Sequence, residues 1–423
     1  MPKQVRARSV SEGSRRKAAK SSRASRTTTL KVKTAGQPKA GYEVRIGANL
    51  IPASADKLIA KGQRALVVID AKLPRETIEP LIRSLDSSGI RWAAKVVTAT
   101  EADKSLSTLE ATLIEAARLR LERGDLIIAL GGGIVTDLAG FAAGVYRRGV
   151  RIVQCPTTLL AMVDAAVGGK TAANLNIPGG SVDGKAALIK NAVGVFHQPT
   201  RVVCDVASLR SLPLRELKSG LGECVKHGML SGGLGDKTLF NWIEKRHTDL
   251  LHFDQAALAE LVARNVAIKA KVVQADEREE STKPDGGRMM LNLGHTFAHA
   301  IETLPGLAWK DPAQGVQMVG PLKHGEAVGV GLVCAARVSA SLKLCEKDLP
   351  ARVESLLNRC GLPTKLEGLP ATTTILERMA HDKKVAAGKL RLILPIKGAR
   401  TRVRDDVPVK VIAAAIDAVR VTA

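Results

Sequence analysis

Aromatic residues are scarce in this chain, in which Phe, Trp and Tyr make up only 2% of 423 residues. The apolar fraction is nevertheless 45%, so the core is expected to consist mainly of Leu, Val, Ile and Ala. No stretch approaches the roughly 20 consecutive apolar residues that a membrane-spanning helix needs. The composition therefore predicts no membrane partner, and the length is sufficient for two globular domains.

Cysteines are few, and no two of them form a CxxC motif. Several of the six lie inside apolar runs, which predicts reduced, buried thiols and excludes a zinc ribbon or a disulfide framework. The positions are Cys155, Cys204, Cys224, Cys334, Cys345 and Cys360. This usage is typical of a cytosolic type of compartment.

Acidic residues are almost absent from the first forty positions, which contain twelve Lys or Arg and only Glu12 as an acid. This segment contributes +11 of the net charge of +23. A Ser-, Arg- and Lys-rich segment cannot bury apolar surface, so residues 1–40 are predicted to form a disordered basic tail. Without an aromatic residue to stack on bases, the tail would bind nucleic acid weakly by charge, and no specific nucleic-acid partner is expected.

The same tail resembles an organellar transit peptide, which would direct the protein to a plastid or another organelle. The interpretation we favour is a solvated extension of a cytoplasmic bacterial protein. Deletion of residues 1–35 is then expected to leave turnover unchanged.

From Gly41, short apolar strands alternate with amphipathic helices, which predicts an α/β fold with a mostly parallel sheet. The predicted strands are Arg64–Asp70, Trp92–Thr98, Asp125–Leu130 and Arg151–Cys155. The predicted helices are 75–88, Leu106–Arg123 and one from about Asp137. Helical periods dominate from about Leu214, so an α/β domain over 41–213 and a largely helical domain over 214–423 are expected, with the active site in the cleft between them.

A strand, three glycines and a helix follow one another in ALGGGIVTDLAGFAA, residues 129–143. Backbone N–H groups in such a turn can approach a diphosphate. The sequence is not a GxGxxG fingerprint, and a tight turn without a ligand is the alternative. Asp70, at the end of an early strand, is a candidate for a ribose hydroxyl.

Three of the eight histidines lie within thirty residues of one another. His295 and His299, in LNLGHTFAHAIE, are four apart and share one helical face. Both can grip a divalent metal, or one can bind metal while the other transfers a proton. His324 precedes Gly325, where the backbone can bend to bring in a third imidazole.

Charged residues cluster in other motifs. Glu223 and Lys226 lie on one helical face, a spacing that in isolation predicts a surface ion pair. Basic residues, glycines and hydroxyls in RRG (147–149), PTT (156–158) and GGKT (168–171) suit a phosphate and a polyol.

In this order, the motifs resemble those of the 3-dehydroquinate synthase family of sugar phosphate cyclases. The resemblance extends from roughly Gly41 to the C-terminus. The matching blocks are ALGGGIVTDLAGFAAGVYRRGVRIVQCPTTLLAMVDAAVGGKT, KNAVGVFHQP, LPLRELKSGLGECVKHG, KAKVVQADERE, LNLGHTFAHAIE, HGEAVGVG and DKK followed by GKLRLILP. The family fold implies an N-terminal parallel-sheet NAD-binding domain followed by a mostly α-helical metal-binding domain.

The resemblance also implies a role for individual residues. The metal ligands, for Zn²⁺ or Co²⁺, fall on Glu223, His295 and His324. The NAD positions are Asp70, Glu101, Lys104, Gly132, Gly133, Asp137, Thr157, Thr158, Lys170, Lys190 and Ser211. The substrate positions are Arg148, Asp164, Lys170, Lys190, Asn191, Lys226, Lys269, Arg288, His299 and Lys383. The catalytic residues are five. His299 is an acid/base residue near the phosphate and Glu279 is a proton acceptor, and the others are Lys170, Arg288 and Lys226.

The implied reaction converts 3-deoxy-D-arabino-heptulosonate 7-phosphate into 3-dehydroquinate and phosphate. It proceeds by transient oxidation with NAD, phosphate elimination, reduction and an internal aldol closure, and NAD is returned unchanged. The resemblance further implies a role in the shikimate pathway of aromatic amino acid biosynthesis, and a cytoplasmic homodimer.

The chain departs from the family pattern at several positions. Thr136 replaces a Gly of the glycine turn, where its Cβ would crowd the diphosphate or shift the turn. The link over 171–190 is longer than usual, which leaves Lys185 and Lys190 as two candidates for one role. The segment 281–287 is also longer, and Ser211 replaces a Thr while keeping the hydroxyl.

Three other functions remain as alternatives. One is a cyclase that acts on a different sugar phosphate to give a deoxy-inosose or valiolone ring. Asn191, Lys269 and Arg288 argue against this alternative, because they favour a carboxylated substrate. Another is a metal-dependent polyol dehydrogenase that releases NADH. The third is an inactive, basic-tailed protein that binds nucleic acid.

Overall fold

A computed structural model of the chain describes residues 27–34, 41–182, 185–312, 314–381, 385–386 and 389–421. The first nine strands are β1 (Thr28–Lys33), β2 (Gly41–Gly47), β3 (Arg64–Asp70), β4 (Arg91–Val97), β5 (Leu126–Gly131), β6 (Arg151–Pro156), β7 (Lys170–Val182), β8 (Lys185–Phe196) and β9 (Arg201–Asp205). All of these except β7 and β8 form one sheet in the order β1-β2-β9-β6-β5-β3-β4. Six strands are parallel, and β1 pairs antiparallel with β2.

The central strands β3 and β5 are almost continuous apolar, buried runs because both faces of the sheet are covered there. Helices α1 (Arg75–Ser87), α2 (Leu106–Arg118) and α3 (Gly133–Val145) connect the parallel strands. The four predicted strands are confirmed within a residue or two. Helix α2 ends before the predicted Arg123, since Arg120 turns the backbone at φ +56°, and α3 begins at Gly133, four residues before the predicted start.

The strand order reverses between β3 and β5, because β4 lies outside β3 while β6 and β9 follow on the other side of β5. The carboxyl ends of β3 and β5 are Asp70 and Gly131. Ligands of open α/β sheets bind at such a reversal. The fold thus places the predicted nucleotide turn where the topology opens a crevice.

The second half is mostly helical, as predicted. Its helices are α4 (Leu214–Leu230), α5 (Leu239–Leu251), α6 (Gln255–Ala275), α7 (His295–Glu302), α8 (His324–Ser341), α9 (Leu349–Arg359), α10 (Thr372–His381) and α11 (Val409–Asp417). Short antiparallel pairs accompany them: β10 (Ala308–Lys310) with β11 (Gln317–Val319), β12 (Val385–Ala386) with β13 (Lys389–Leu390), and β14 (Leu392–Ile396) with β15 (Arg400–Arg404).

One hydrophobic core joins the two halves, since it contains Val44 of β2, Leu221 of α4 and Val333 of α8. The division of the chain at residues 213 and 214 stays a prediction. All six cysteines are buried and free, as expected. Among the described residues, no helix combines the length and the apolarity that crossing a bilayer requires.

The prediction of a disordered tail over residues 1–40 is wrong for residues 28–33. These form β1, whose Val32 is buried in the core with 1% of its surface exposed. The alternation in TTLKVK is typical of an edge strand with one buried face. Deletion of residues 1–35 would remove this strand, so its predicted lack of effect loses its basis.

Candidate active site

A cavity of about 550 Å³ lies between α3, the β7–β8 hairpin and helices α4, α6 and α7. It brings together residues that are far apart in the sequence. The predicted site residues in its lining are Asp137, Asp164, Lys170, Asn191, Lys226, Lys269, Glu279, Arg288 and His295. Four basic side chains against three acids make the cavity suitable for an anionic substrate.

Three helices each supply one possible metal ligand at the edge of this cavity. Glu223 lies on α4, His295 begins α7 and His324 begins α8. The Nε2 atoms of His295 and His324 lie 3.6 and 3.3 Å from Glu223 Oε1. One ligand atom from each residue lies within 4.8 Å of the others. His299 lies beside the cluster, with its ring edge-on to that of His295 at 5.5 Å.

Glycines set the distance between the helices that carry two of these ligands. A Cβ on Gly325 of α8 would lie 1.8 Å from the carbonyl oxygen of Ser219 on α4, and one on Gly222 would lie 2.4 Å from the Gly325 oxygen. The predicted bend at Gly325 is therefore wrong. Gly325 lies inside α8 and is needed because the two helices meet backbone to backbone, which holds Glu223 against His324.

The residues of this cluster fit a divalent metal. Both carboxylate oxygens of Glu223 are buried, and among the described residues neither accepts a hydrogen bond. Lys226 Nζ contacts Oε2 as an ion pair, without hydrogen-bond geometry. The carboxylate oxygens therefore keep acceptor capacity for a further cation, and one carboxylate with two imidazoles is a donor set for Zn²⁺ or Co²⁺.

The charges of the cluster are set by its neighbours. Burial alone would raise the pKa of Glu223, but Lys226 and the two histidines outweigh it and hold this pKa well below its usual range. Burial holds the pKa of His295 well below its ordinary value, and Lys226 adds to this effect. For His324, burial is outweighed by Glu223 and Glu302, which raise its pKa to about 10. A metal therefore competes with a proton for this imidazole.

The Glu223–Lys226 pair is fully buried, so the surface ion pair predicted from its spacing is wrong. In a second pair, the buried Lys269 Nζ contacts the half-buried Asp164, which lies on a single π-helical turn over Ala161–Ala165. Burial would raise the pKa of Asp164, but Lys269 and Lys226 together hold it well below its usual range. Two ammonium groups are thus fixed at the cavity wall, one by the buried carboxylate of Glu223 and one by the half-buried carboxylate of Asp164.

The predicted nucleotide residues gather at the sheet's carboxyl edge. Asp70 Cβ lies 3.1 Å from the position of a Cβ on Gly131, and Thr158 Cγ2 lies 3.1 Å from that of one on Gly132. Thr157 N–H donates to the Gly131 carbonyl at 2.9 Å. The turn therefore leaves its backbone open between an acid and two hydroxyl-bearing side chains, a geometry suited to a diphosphate and a ribose.

Two family models match this chain, 3-dehydroquinate synthase N-terminal over residues 94–219 and 3-dehydroquinate synthase C-terminal over residues 220–385. The chain belongs to the 3-dehydroquinate synthase family. A 3-dehydroquinate synthase from Roseobacter denitrificans is 40% identical over 363 residues, which cover 84% of this chain and 90% of that protein.

Solved structures of related enzymes share the fold of this chain. The 2-epi-5-epi-valiolone synthase ValA from Streptomyces hygroscopicus subsp. jinggangensis 5008, with NAD⁺ and Zn²⁺ bound, has a TM-score of 0.73 and 24% identity over 92% of this chain and 99% of its own. A 2-deoxy-scyllo-inosose synthase complexed with carbaglucose-6-phosphate, NAD⁺ and Co²⁺ has a TM-score of 0.69 and 22% identity over the same shares.

Several of the residues that the family resemblance implies form hydrogen bonds or ion pairs with other residues of the chain. Lys170 Nζ pairs with Glu279, and Arg288 donates to the carbonyl oxygens of Gly168 and Glu277. Lys104 Nζ donates to Asp137 Oδ2 at 2.5 Å. These side chains hold each other in position around the cavity.

Other predicted residues lie outside the cavity lining. Arg148 is exposed in the turn after α3, and exposed Ser211 donates to the Ser208 carbonyl. Lys190 pairs with Glu302 at 2.9 Å. Lys383 lies outside the described residues, and so does the side chain of Lys185.

The structure shows where the side chain of Thr136 lies. Its hydroxyl donates to the Gly133 carbonyl at 2.9 Å, and its side chain is buried within α3. The Thr136 side chain therefore packs within the helix.

Sequence reasoning missed two polar residues. Glu302 Oε2 lies 3.3 Å from His324 Nδ1 and so orients one of the possible metal ligands. Asn174 is 2% exposed and joins Glu101 to Asn191. Both residues lie in quoted motifs, Glu302 at the end of LNLGHTFAHAIE and Asn174 in the lengthened link, but no spacing rule connects them to their partners.

Proposed function

We propose that this chain is a 3-dehydroquinate synthase that converts 3-deoxy-D-arabino-heptulosonate 7-phosphate into 3-dehydroquinate and phosphate. The observation that carries the proposal is the cluster of Glu223, His295 and His324 at the edge of a cavity with four basic side chains. The relatives named 3-dehydroquinate synthase, at about 40% identity over most of the chain, support the substrate.

Glu223, His295 and His324 would hold one divalent metal, Zn²⁺ or Co²⁺. When bound, the metal acts as a Lewis acid that polarises a substrate hydroxyl and the ketone formed from it. Glu302 accepts from His324 Nδ1, which leaves Nε2 free to face the cluster. The chain's own contribution is thus a ligand set whose orientation is fixed before substrate arrives.

Lys170, Lys226, Lys269 and Arg288 bind the phosphate and carboxylate of the substrate. Their charges favour the transition state in which negative charge grows on the departing phosphate. His299 and Glu279 move protons, and the contact between Lys170 and Glu279 keeps the Glu279 carboxylate beside the cavity. Asp164 and Asn191 orient the ring hydroxyls, while Arg148, Lys190 and Lys383 complete the substrate set by family analogy.

The turn over Gly131–Gly133 would hold NAD, which when bound supplies a hydride acceptor that is regenerated within one turnover. Asp70 would accept a hydrogen bond from a ribose hydroxyl, and Thr157 and Thr158 would flank the diphosphate. Glu101, Lys104, Asp137 and Ser211 complete the nucleotide site. The related cyclases solved with NAD⁺ support this assignment by their common fold.

The deciding experiment measures phosphate release from 3-deoxy-D-arabino-heptulosonate 7-phosphate by the purified protein with NAD⁺ and Zn²⁺. We expect phosphate without net NADH, and loss of the activity on chelation with recovery when Zn²⁺ is returned. Accumulating NADH would identify a dehydrogenase. Phosphate release only from a different sugar phosphate, such as glucose 6-phosphate, would identify a cyclase of another substrate class.

We further propose that the enzyme is a cytoplasmic homodimer. The six free, buried cysteines support a reducing compartment, and the dimer rests on family analogy. Light scattering on the purified protein tests the dimer, and a mass near 44.8 kDa, that of one chain, would refute it.

A further inference from the structure

The β7–β8 hairpin contains an irregularity beside the cavity. Ala173 pairs with Val193 and Leu175 pairs with Ile189. One residue of β7, Asn174, therefore stands opposite three residues of β8, which include Lys190 and Asn191. Bulges of this kind redirect side chains next to active sites, and here the bulge presents Asn191 to the cavity.

The side chain of Asn174 replaces the ladder bonds that the bulge removes. Its Oδ1 accepts from the Asn191 N–H at 2.9 Å. Asn191 has φ +53°, a left-handed conformation that Asn tolerates better than most residues. The bond from Asn174 thus satisfies the backbone at the most strained position of the bulge.

The amide nitrogen of Asn174 connects the hairpin to the nucleotide side. Nδ2 donates to the carbonyl oxygen of Glu101 at 2.8 Å and to its carboxylate at 2.9 Å. The backbone N–H of Asn174 donates to the Lys104 carbonyl at 2.6 Å. Lys104 Nζ then contacts both Asn191 and Asp137, which closes a ring of hydrogen bonds.

We propose that Asn174 is a positioning residue that sets the nucleotide-side residue Glu101 and the substrate-side residue Asn191 relative to each other. This inference rests on the proposed function, from which the roles of those two residues come. The position requires one acceptor and two donors on the same planar group, which only an amide side chain of this length supplies. Asn174 is buried, so water cannot replace the lost bonds.

Two substitutions separate the two sides of the amide. Asn174→Asp keeps an acceptor for the Asn191 N–H but loses both donors and sets a carboxylate against that of Glu101. We expect the Kd for NAD⁺, measured by calorimetry without substrate, to rise about tenfold, while the KM for the sugar phosphate changes less than about threefold. Asn174→Ala removes all three bonds, so Kd and KM should both rise about tenfold.

Asn176→Asp is the matched control, since Asn176 is exposed on the same strand. It should leave Kd and KM within about twofold of the unmodified protein. Wild-type Kd and KM in both Asn174 variants, or a fall in kcat alone that matches a loss of folded protein, would overturn the proposal. If Asn174→Ala does not fold, the Kd of Asn174→Asp decides. If the unmodified protein releases no phosphate, the proposed function fails, while the NAD⁺ titration still tests the link to Glu101.

Discussion

The proposed nucleotide turn and the proposed metal cluster are built in different ways. The turn over Gly131–Gly133 consists of a strand end and a helix start that are consecutive in the sequence. The cluster takes Glu223, His295 and His324 from three helices, and buried charges and glycine contacts hold them together. The comparison teaches that local chain geometry is enough for a site of backbone donors, whereas a metal site depends on the packing of distant segments.

The largest effect is expected when one of the proposed metal ligands is removed from the cluster. We expect Glu223→Gln to lower kcat/KM roughly a thousandfold, because a Lewis acid contributes several kcal/mol to the transition state. Bound Zn²⁺, measured by mass spectrometry of the purified protein, should fall with it. The variant also leaves Lys226 buried without its partner, so folding is checked separately by circular dichroism.

Glu260→Gln is the control for this change, since Glu260 is a half-exposed carboxylate that pairs with Arg264 on α6. Surface pairs contribute little, so its activity and metal content should stay at the unmodified level. A Glu223→Gln protein that retains both metal and full turnover would show that the cluster is not the metal site.

The next test makes one substitution, Gly to Ala, in both regions. At Gly325 the added Cβ would lie 1.8 Å from the Ser219 carbonyl oxygen, so α8 must move away from α4. Such overpacking costs about 1–3 kcal/mol, and we expect Zn²⁺ affinity to fall about tenfold or more. At Gly133 the added Cβ meets Ala165 Cβ at 3.4 Å, an ordinary contact within the protein, so Zn²⁺ affinity should stay within about twofold of that of the unmodified protein. Equal losses in the two proteins would contradict the difference between the regions.

The same contrast explains what the sequence could predict. Apolar runs such as Leu126–Gly131 become buried strands because their composition acts locally, and the glycine turn follows from its order in the chain. The sequence could not predict that Lys226 is buried, since the i,i+3 spacing to Glu223 is the same on an exposed helix. The role of Gly325 was also hidden, because it depends on Ser219, a hundred residues away. The six-residue β1 was missed because its apolar positions lie in a strongly basic segment.

A smaller effect is expected from the carboxylate behind His324. Glu302→Gln keeps the shape of the side chain but weakens the support of His324 Nδ1, and loss of such outer partners lowers metal affinity about 10–100-fold. Competition with a zinc chelator measures this change, and Co²⁺ spectra report the ligand geometry. Lys190→Met breaks only the other contact of Glu302, 2.9 Å away, so it should leave metal affinity nearly unchanged. An unaltered Zn²⁺ affinity in Glu302→Gln would remove Glu302 from the metal site.

The smallest effect is expected on the nucleotide side, at Thr136. The Thr136 hydroxyl bonds to the Gly133 carbonyl, and the side chain is buried in α3. Thr136→Gly would restore the usual family residue, yet we expect NAD⁺ affinity to change less than twofold because the side chain packs within the helix. The free energy of unfolding should fall by about 1 kcal/mol, since Gly destabilises a helix interior and the buried methyl group is lost. Calorimetric titration and urea unfolding measure the two quantities. A large gain in NAD⁺ affinity would mean that Thr136 crowds the diphosphate, so that packing, and not only local chain order, would govern the nucleotide side as well.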